Sequence, residues 1–279
     1  MLEHEPNKRV ESREHYPYVT RSLVRLFNEG RLTNVKGVTV EPRYGYVSQI
    51  EYNDDTFRIT YGNDLGLNTG SAEDLAKDKG YTKFMLRALG VECPEGDEFL
   101  LPWWVNEIKK SPRQQNNTSI QSSEMAYQYI EDTLHYPVYV KPVAGSKGGD
   151  VYRVESDEEL QKIFTLYDEK NVRVAVVEKA IDLPDYRVVV LDGELISAYQ
   201  RLPLSVIGDG KKTTEKLISH LQDQYITEGR DTKINAHDQR IALHLGRKGL
   251  TLGYIPEIGE KVTLMPISNG WRNVARCNA

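Results

Sequence analysis

Apolar residues first recur at helical spacing between Tyr18 and Asn28, with Val19, Leu23, Val24, Leu26 and Phe27 carrying the pattern. Strand-like pieces follow around Val38–Val40, Tyr46–Tyr52 and Phe57–Tyr61. Asn53-Asp54-Asp55 lies between the last two and has turn chemistry, so a hairpin is expected there. Ser71–Lys79 and Thr82–Gly90 read as one or two helices, with Gly90 as the C-terminal stop. Pro94-Glu-Gly96 turns into a short strand, Phe99–Leu101, and the polar run Ser111–Thr118 is a loop. Ser122 or Ser123 caps a helix ending near Leu134, and an apolar strand then ends on Lys141.

Beyond that lysine, Val151–Val154 reads as the return strand of a hairpin, and Ser156-Asp-Glu-Glu159 is a capping box opening a helix to about Tyr167. Val172–Glu178 is a buried-type strand. Tyr186–Leu191 and Glu194–Tyr199 flank Asp192-Gly193, a strong hairpin signal. Thr213 or Thr214 caps a helix to about Tyr225, a second helix runs from about His237 to Arg247, and Gly259–Leu264 closes the pattern as a strand. Helices and antiparallel hairpins alternate without a regular βαβ run, so the class is α+β. Residues 1–70 are expected to form a small domain preceding a larger one over 71–279.

Composition narrows the function classes. The 279 residues include 36 basic and 41 acidic side chains, a formal charge of −5 that argues against a dedicated nucleic-acid binder. No apolar run suggests a bilayer span, and the polar N-terminus does not resemble a signal peptide, so a cytoplasmic protein is expected. Cys93 and Cys277 lie far apart without metal-ligand spacing, as do His135, His220, His237 and His244. Trp103-Trp104 reads as packing or a partner patch rather than a base-stacking platform.

Candidate chemistry centres on Tyr136-Pro-Val-Tyr-Val-Lys141-Pro-Val-Ala-Gly145-Ser-Lys147-Gly148-Gly149. Glycines let backbone N–H groups approach an anion closely, and two lysines beside them suit a polyphosphate. The segment does not match a G-x-x-x-x-G-K-[ST] phosphate loop, because a lysine precedes the glycines and the turn joins two strands. Lys147 is equally readable as a solvated loop lysine, and the glycines as a tight hairpin.

In order along the chain, Asp78-Lys79-Gly-Tyr-Thr82-Lys83, the glycine turn, Val176-Val-Glu178-Lys179, Asp185-Tyr186-Arg187, Arg201-Leu-Pro203 and Val206-Ile-Gly208-Asp209-Gly210 resemble the ATP-grasp ligases. Within that superfamily they are similar to the cyanophycin synthetase branch and its glutathione-synthesis relatives, over roughly residues 65–270. The resemblance implies two α+β subdomains enclosing a nucleotide, with a family-specific insertion at about 206–262. It gives Lys141 the α- and β-phosphates, places Lys79 near the nucleotide and Gly145, Lys147, Gly148 and Gly149 in the lid over the triphosphate, and makes Glu178, Lys179 and Ala180 the adenine hinge. Asp185 would take the ribose hydroxyls, although Leu183-Pro184 stands where a glycine is usual. Arg187 and Arg201 would face the phosphates or an acyl phosphate. Lys79 and Lys83 are each as readable as helix-surface lysines, Glu178 as a strand-end acid paired with lysine, and Asp185 as a cap.

The implied reaction joins a carboxylate to an amine with ATP and magnesium, on an amino acid or short peptide. Its magnesium carboxylates are not found before the chain stops: no Asp or Glu follows Glu260, and Asn273 or Asn278 cannot replace two carboxylates. A C-terminally incomplete grasp domain is therefore expected, with the metal ligands unknown. Three classes stay open: a truncated ligase, an inactive nucleotide-binding module, and an interaction protein that keeps the fold without ATP. Neither nucleic acid nor membrane is expected as a partner, and a homo-oligomer stays open.

Overall fold

The computed structural model describes residues 9–145, 149–228 and 233–267. Lys147, Gly148, Asn273, Cys277 and Asn278 lie outside them. The chain divides into two compact units, 1–76 and 77–279.

In the first unit, helix α1 (Tyr18–Asn28) buries Leu23, with Phe27 beside it, against a three-stranded antiparallel sheet. The strands β1 (Val35–Val40), β2 (Val47–Tyr52) and β3 (Phe57–Tyr61) run in sequence order. The predicted turn forms with Asp55 at φ +65°, and Asp54 accepts from both the backbone N–H and the hydroxyl of Thr56. Gly45 has φ +65°, and a Cβ there would lie 2.4 Å from the Tyr16 ring, so both backbone and space require glycine.

The second unit begins where α2 (Gly70–Lys77) gives way to α3 (Lys79–Ala88). Asp78 caps α3 by accepting from the N–H groups of Gly80 and Tyr81. Strand β4 (Gly96–Leu100) follows, then α4 (Pro102–Lys109), a helix that the sequence pattern does not predict. Pro102 starts it at a position where the missing N–H has no consequence. Trp103 donates its indole N–H to Val172 O, and Trp104 lies under the Arg173 guanidinium at 4.4 Å, so both tryptophans are packing residues. α5 (Ser123–Tyr129) continues into a π turn, Ile130–Leu134.

β5 (Val138–Pro142) and β6 (Tyr152–Val154) flank the glycine turn, α6 (Asp157–Glu169) follows, and β7 (Val174–Lys179) completes an antiparallel sheet of order β4-β7-β5-β6. Alternation along the strands sends Phe99, Val138, Val140, Ala175 and Val177 into one core with α5 and α6. The opposite face carries Glu98, Lys141 and Glu178.

β8 (Asp185–Leu191) and β9 (Glu194–Arg201) form a hairpin around Asp192-Gly193 that pairs only with itself among the described strands. Both of its faces are largely exposed. β10 (Ser205–Ile207), α7 (Thr214–Thr227), α8 (Gln239–Arg247) and β11 (Lys261–Thr263) build a separate core around Ile218, Ile241, Leu245 and Leu264. Gly208 is packed against backbone there, and Asp209 accepts from Lys211 and Lys212 N–H, so the Gly-Asp-Gly segment is a structural turn.

Candidate functional site

Register places the central acid. Glu178 lies opposite Tyr139 on β5, and Lys141 lies opposite Val176, two residues earlier on β7. Lysine and glutamate are therefore diagonal neighbours on one face, within reach of long side chains. Lys141 Nζ pairs with Glu178 Oε1. From the other side, Lys83 on α3 brings its Nζ to 2.7 Å from Glu178 Oε2. That contact is an ion pair.

Glu178 is 7% exposed and Lys83 8%. Burial alone raises a carboxyl pKa, but Lys141 and Lys83 outweigh it and hold Glu178 below the usual range. Lys79 takes a different place. Its Nζ donates to Pro142 O at 3.0 Å and Val143 O at 3.1 Å, with Gly145 O at 3.4 Å, and its backbone N–H donates to Val143 O. It thus roots the glycine turn on the start of α3. Burial, and then the charge of Lys141, lower its pKa.

A cleft of about 350 Å³ opens between α3 and β4, with Lys83 and Glu98 on its wall. Gly80 lies directly over the Glu98 carboxylate, where a Cβ would sit 1.4 Å from Oε1. Burial, then Asp78 and Asp97, raise the Glu98 pKa. Sequence spacing gives neither Lys83 nor Glu98 special standing. The Asp78 cap was a readable signal for where the helix begins, but not for which of its faces meets the sheet.

The remaining predicted residues distribute as follows. Gly145 and Gly149 are exposed at the two described ends of the turn. The N–H groups of Lys179 and Ala180 donate to Glu95 O and Pro137 O, so these donors are already engaged. Asp185 and Arg201 face each other across the hairpin, 3.5 Å apart, and Arg187 lies opposite Tyr199. The structure thus gathers Lys79, Lys83, Lys141 and Glu178 into one cluster, and pairs Asp185 with Arg201 in another. Among the described residues no group of three or more His, Cys, Asp or Glu side chains could hold a metal. No described helix is long and apolar enough to cross a membrane.

The family described as "D-ala D-ala ligase C-terminus" matches residues 109–242. The cyanophycin synthetase of Crocosphaera subtropica is 32% identical over 204 residues, covering 71% of this chain and 21% of that protein. The D-alanine–D-alanine ligase of Enterococcus hirae is 30% identical over 135 residues, covering 48% of this chain and 32% of that protein. A solved bifunctional glutathione synthetase from Pasteurella multocida covers 88% of this chain and 30% of its own, at 20% identity and a TM-score of 0.45. The chain spans about a fifth of the length of the cyanophycin synthetases it matches, 21% and 20% for the first two.

Proposed function

The chain belongs to the ATP-grasp ligases, and from that premise we propose that its Lys141–Glu178 site holds ATP for joining a carboxylate to an amine on an amino acid or short peptide. One observation carries this reading. A buried carboxylate is gripped by one lysine at the end of the strand that leads into the glycine turn and by a second on helix α3, with a third lysine at the root of that turn. Burial and the charge of Lys141 both disfavour the charged form of Lys79, and an anion close to the two lysines would relieve that.

In this reading Lys141 turns toward the phosphates, and the N–H groups of Gly145, Gly148 and Gly149 line the anion. Lys147 adds a second cation, and Lys79 holds the turn in place. Glu178 accepts from the adenine amine, for which a carboxylate is suited as a pure acceptor. Lys179 and Ala180 frame the base edge, and Asp185 takes the ribose hydroxyls on exchanging Arg201 for them. The substrate carboxylate attacks the γ-phosphorus and ADP leaves, giving an acyl phosphate. The amine nitrogen then displaces inorganic phosphate, loses a proton and forms the amide. Arg201 and Arg187 stabilise negative charge on the phosphoryl oxygens in both steps. Residues 206–262 are an inserted module beside this site.

Titration with ATP tests the site. Lys141→Ala should weaken binding by about tenfold or more, since it removes a charge-assisted contact. Equal binding by both proteins would reject the assignment. Phosphate release across amino acids and dipeptides tests turnover, and ATP binding with no release would leave a nucleotide-holding module.

A further inference from the structure

Two lysines share Glu178, and they reach it from different kinds of element. Lys83 comes from a helix whose first turn is fixed by the Asp78 cap, and its side chain is 10% exposed. Lys141 comes from the strand that runs into the glycine turn, and its side chain is 20% exposed. Each holds a separate carboxylate oxygen. We propose that Lys83 is a positioning residue that keeps Glu178 charged and oriented while Lys141 transfers from that carboxylate to a phosphate. The proposal rests on the nucleotide reading of the site.

The physical reason is the burial of Glu178. A carboxylate so enclosed cannot lose its only cation without a large desolvation penalty. If Lys141 were its sole partner, contact with phosphate would strand the charge. Either Lys141 would stay on Glu178, or Glu178 would take up a proton on nucleotide binding. With Lys83 on the second oxygen, Lys141 exchanges one anion for another and the carboxylate remains paired. Lys83 then touches no phosphate, and its influence falls on the phosphate part of the ligand through Lys141.

Calorimetric titration of the 279-residue chain with ATP and with adenosine separates these effects, because adenosine makes no demand on Lys141. Lys83→Met should weaken ATP binding by about 10- to 100-fold and change adenosine binding by less than about threefold. Lys83→Arg should restore most of the loss. Titrations in buffers of different ionisation enthalpy should show ATP binding by Lys83→Met taking up about one proton and by the wild type taking up close to none. If Lys83→Met keeps the wild-type ATP-to-adenosine ratio, or loses both ligands equally, the assignment is wrong. If it does not fold, Lys83→Met combined with Glu178→Gln is compared with Glu178→Gln alone. Equal ATP-to-adenosine ratios support the assignment, and a lower ratio in the double variant would show that Lys83 acts on phosphate directly and overturn it. Failure of the wild type to bind ATP would reject the nucleotide site itself, a different outcome from wild-type binding with Lys83→Met unchanged.

Discussion

Glu178 keeps its charge where burial alone would favour the neutral acid, because Lys141 and Lys83 flank it. Its folded pKa is lowered from 4.5, so its contribution to stability is present above that value and is lost as the pH falls through the lower folded one. Glu178→Gln should remove this acid limb and lower stability at pH 7 by about 3 kcal/mol, since it leaves two ammonium groups without their shared partner. Urea unfolding across pH 3–7 measures both effects. His244 sets a second limb at higher pH. Its buried Nε2 has no hydrogen-bond partner among the described residues, and burial, then Lys248 and Arg247, depress its pKa from 6.5 to about 4. The unfolded chain binds this proton first, so stability should fall between about pH 6.5 and 4. His244→Leu should flatten that interval and leave the lower limb of Glu178 in place. Lys141 and Glu178 were legible in the sequence because a charged residue at the end of an apolar strand stands out. The partnership of Lys83 was not, because it depends on α3 docking against a strand distant in the sequence.

Among the elements, helix caps and hairpin turns follow local chemistry and were the most readable. Ser156 accepts from Glu159 N–H as a capping box requires, although the Glu159 carboxylate reaches back to Glu155 N–H, one residue earlier than the motif predicts. Ser156→Ala should lower stability by about 1 kcal/mol in thermal or urea unfolding. α4 and the π turn were not readable. Pro102-Trp-Trp reads as a packing patch until its helix is seen, and a 3.6-residue period does not reveal a wider turn. Three glycines show how the neighbour decides the outcome of a substitution. A Cβ on Gly96, at φ +154°, would lie 2.4 Å from Val177 O, and one on Gly208 would lie 2.1 Å from Glu257 O. Those neighbours are backbone, so Gly96→Ala and Gly208→Ala should each lose about 2 kcal/mol or more. A Cβ on Gly80 meets the end of the Glu98 side chain, which can turn aside, so Gly80→Ala should be milder.

Across the whole molecule, stability is unevenly shared. The core of the first unit centres on Leu23, Val38 and Ile50, whereas the β4–β7 sheet and its helices bury a much larger set that includes Phe99, Leu160 and Tyr167. Amide exchange should therefore be faster through β1–β3 than through β5 and β7, a difference that hydrogen-exchange mass spectrometry measures. The α+β class and the order of these elements were legible because each has its own periodicity. Which residues meet in the site was less so, since backbone donors at Lys179 and Ala180 turn out to be engaged by Glu95 O and Pro137 O. The β8–β9 hairpin carries the last consequence. Val188, Val190, Leu195 and Ile196 are all more than half exposed, on a two-stranded ribbon whose edges pair with no other described strand. A β-rich, apolar ribbon of this kind is a template for self-association in concentrated solution. Colloidal behaviour of the purified chain should therefore be governed by this hairpin: Val188→Lys with Ile196→Lys should raise the concentration at which light scattering begins.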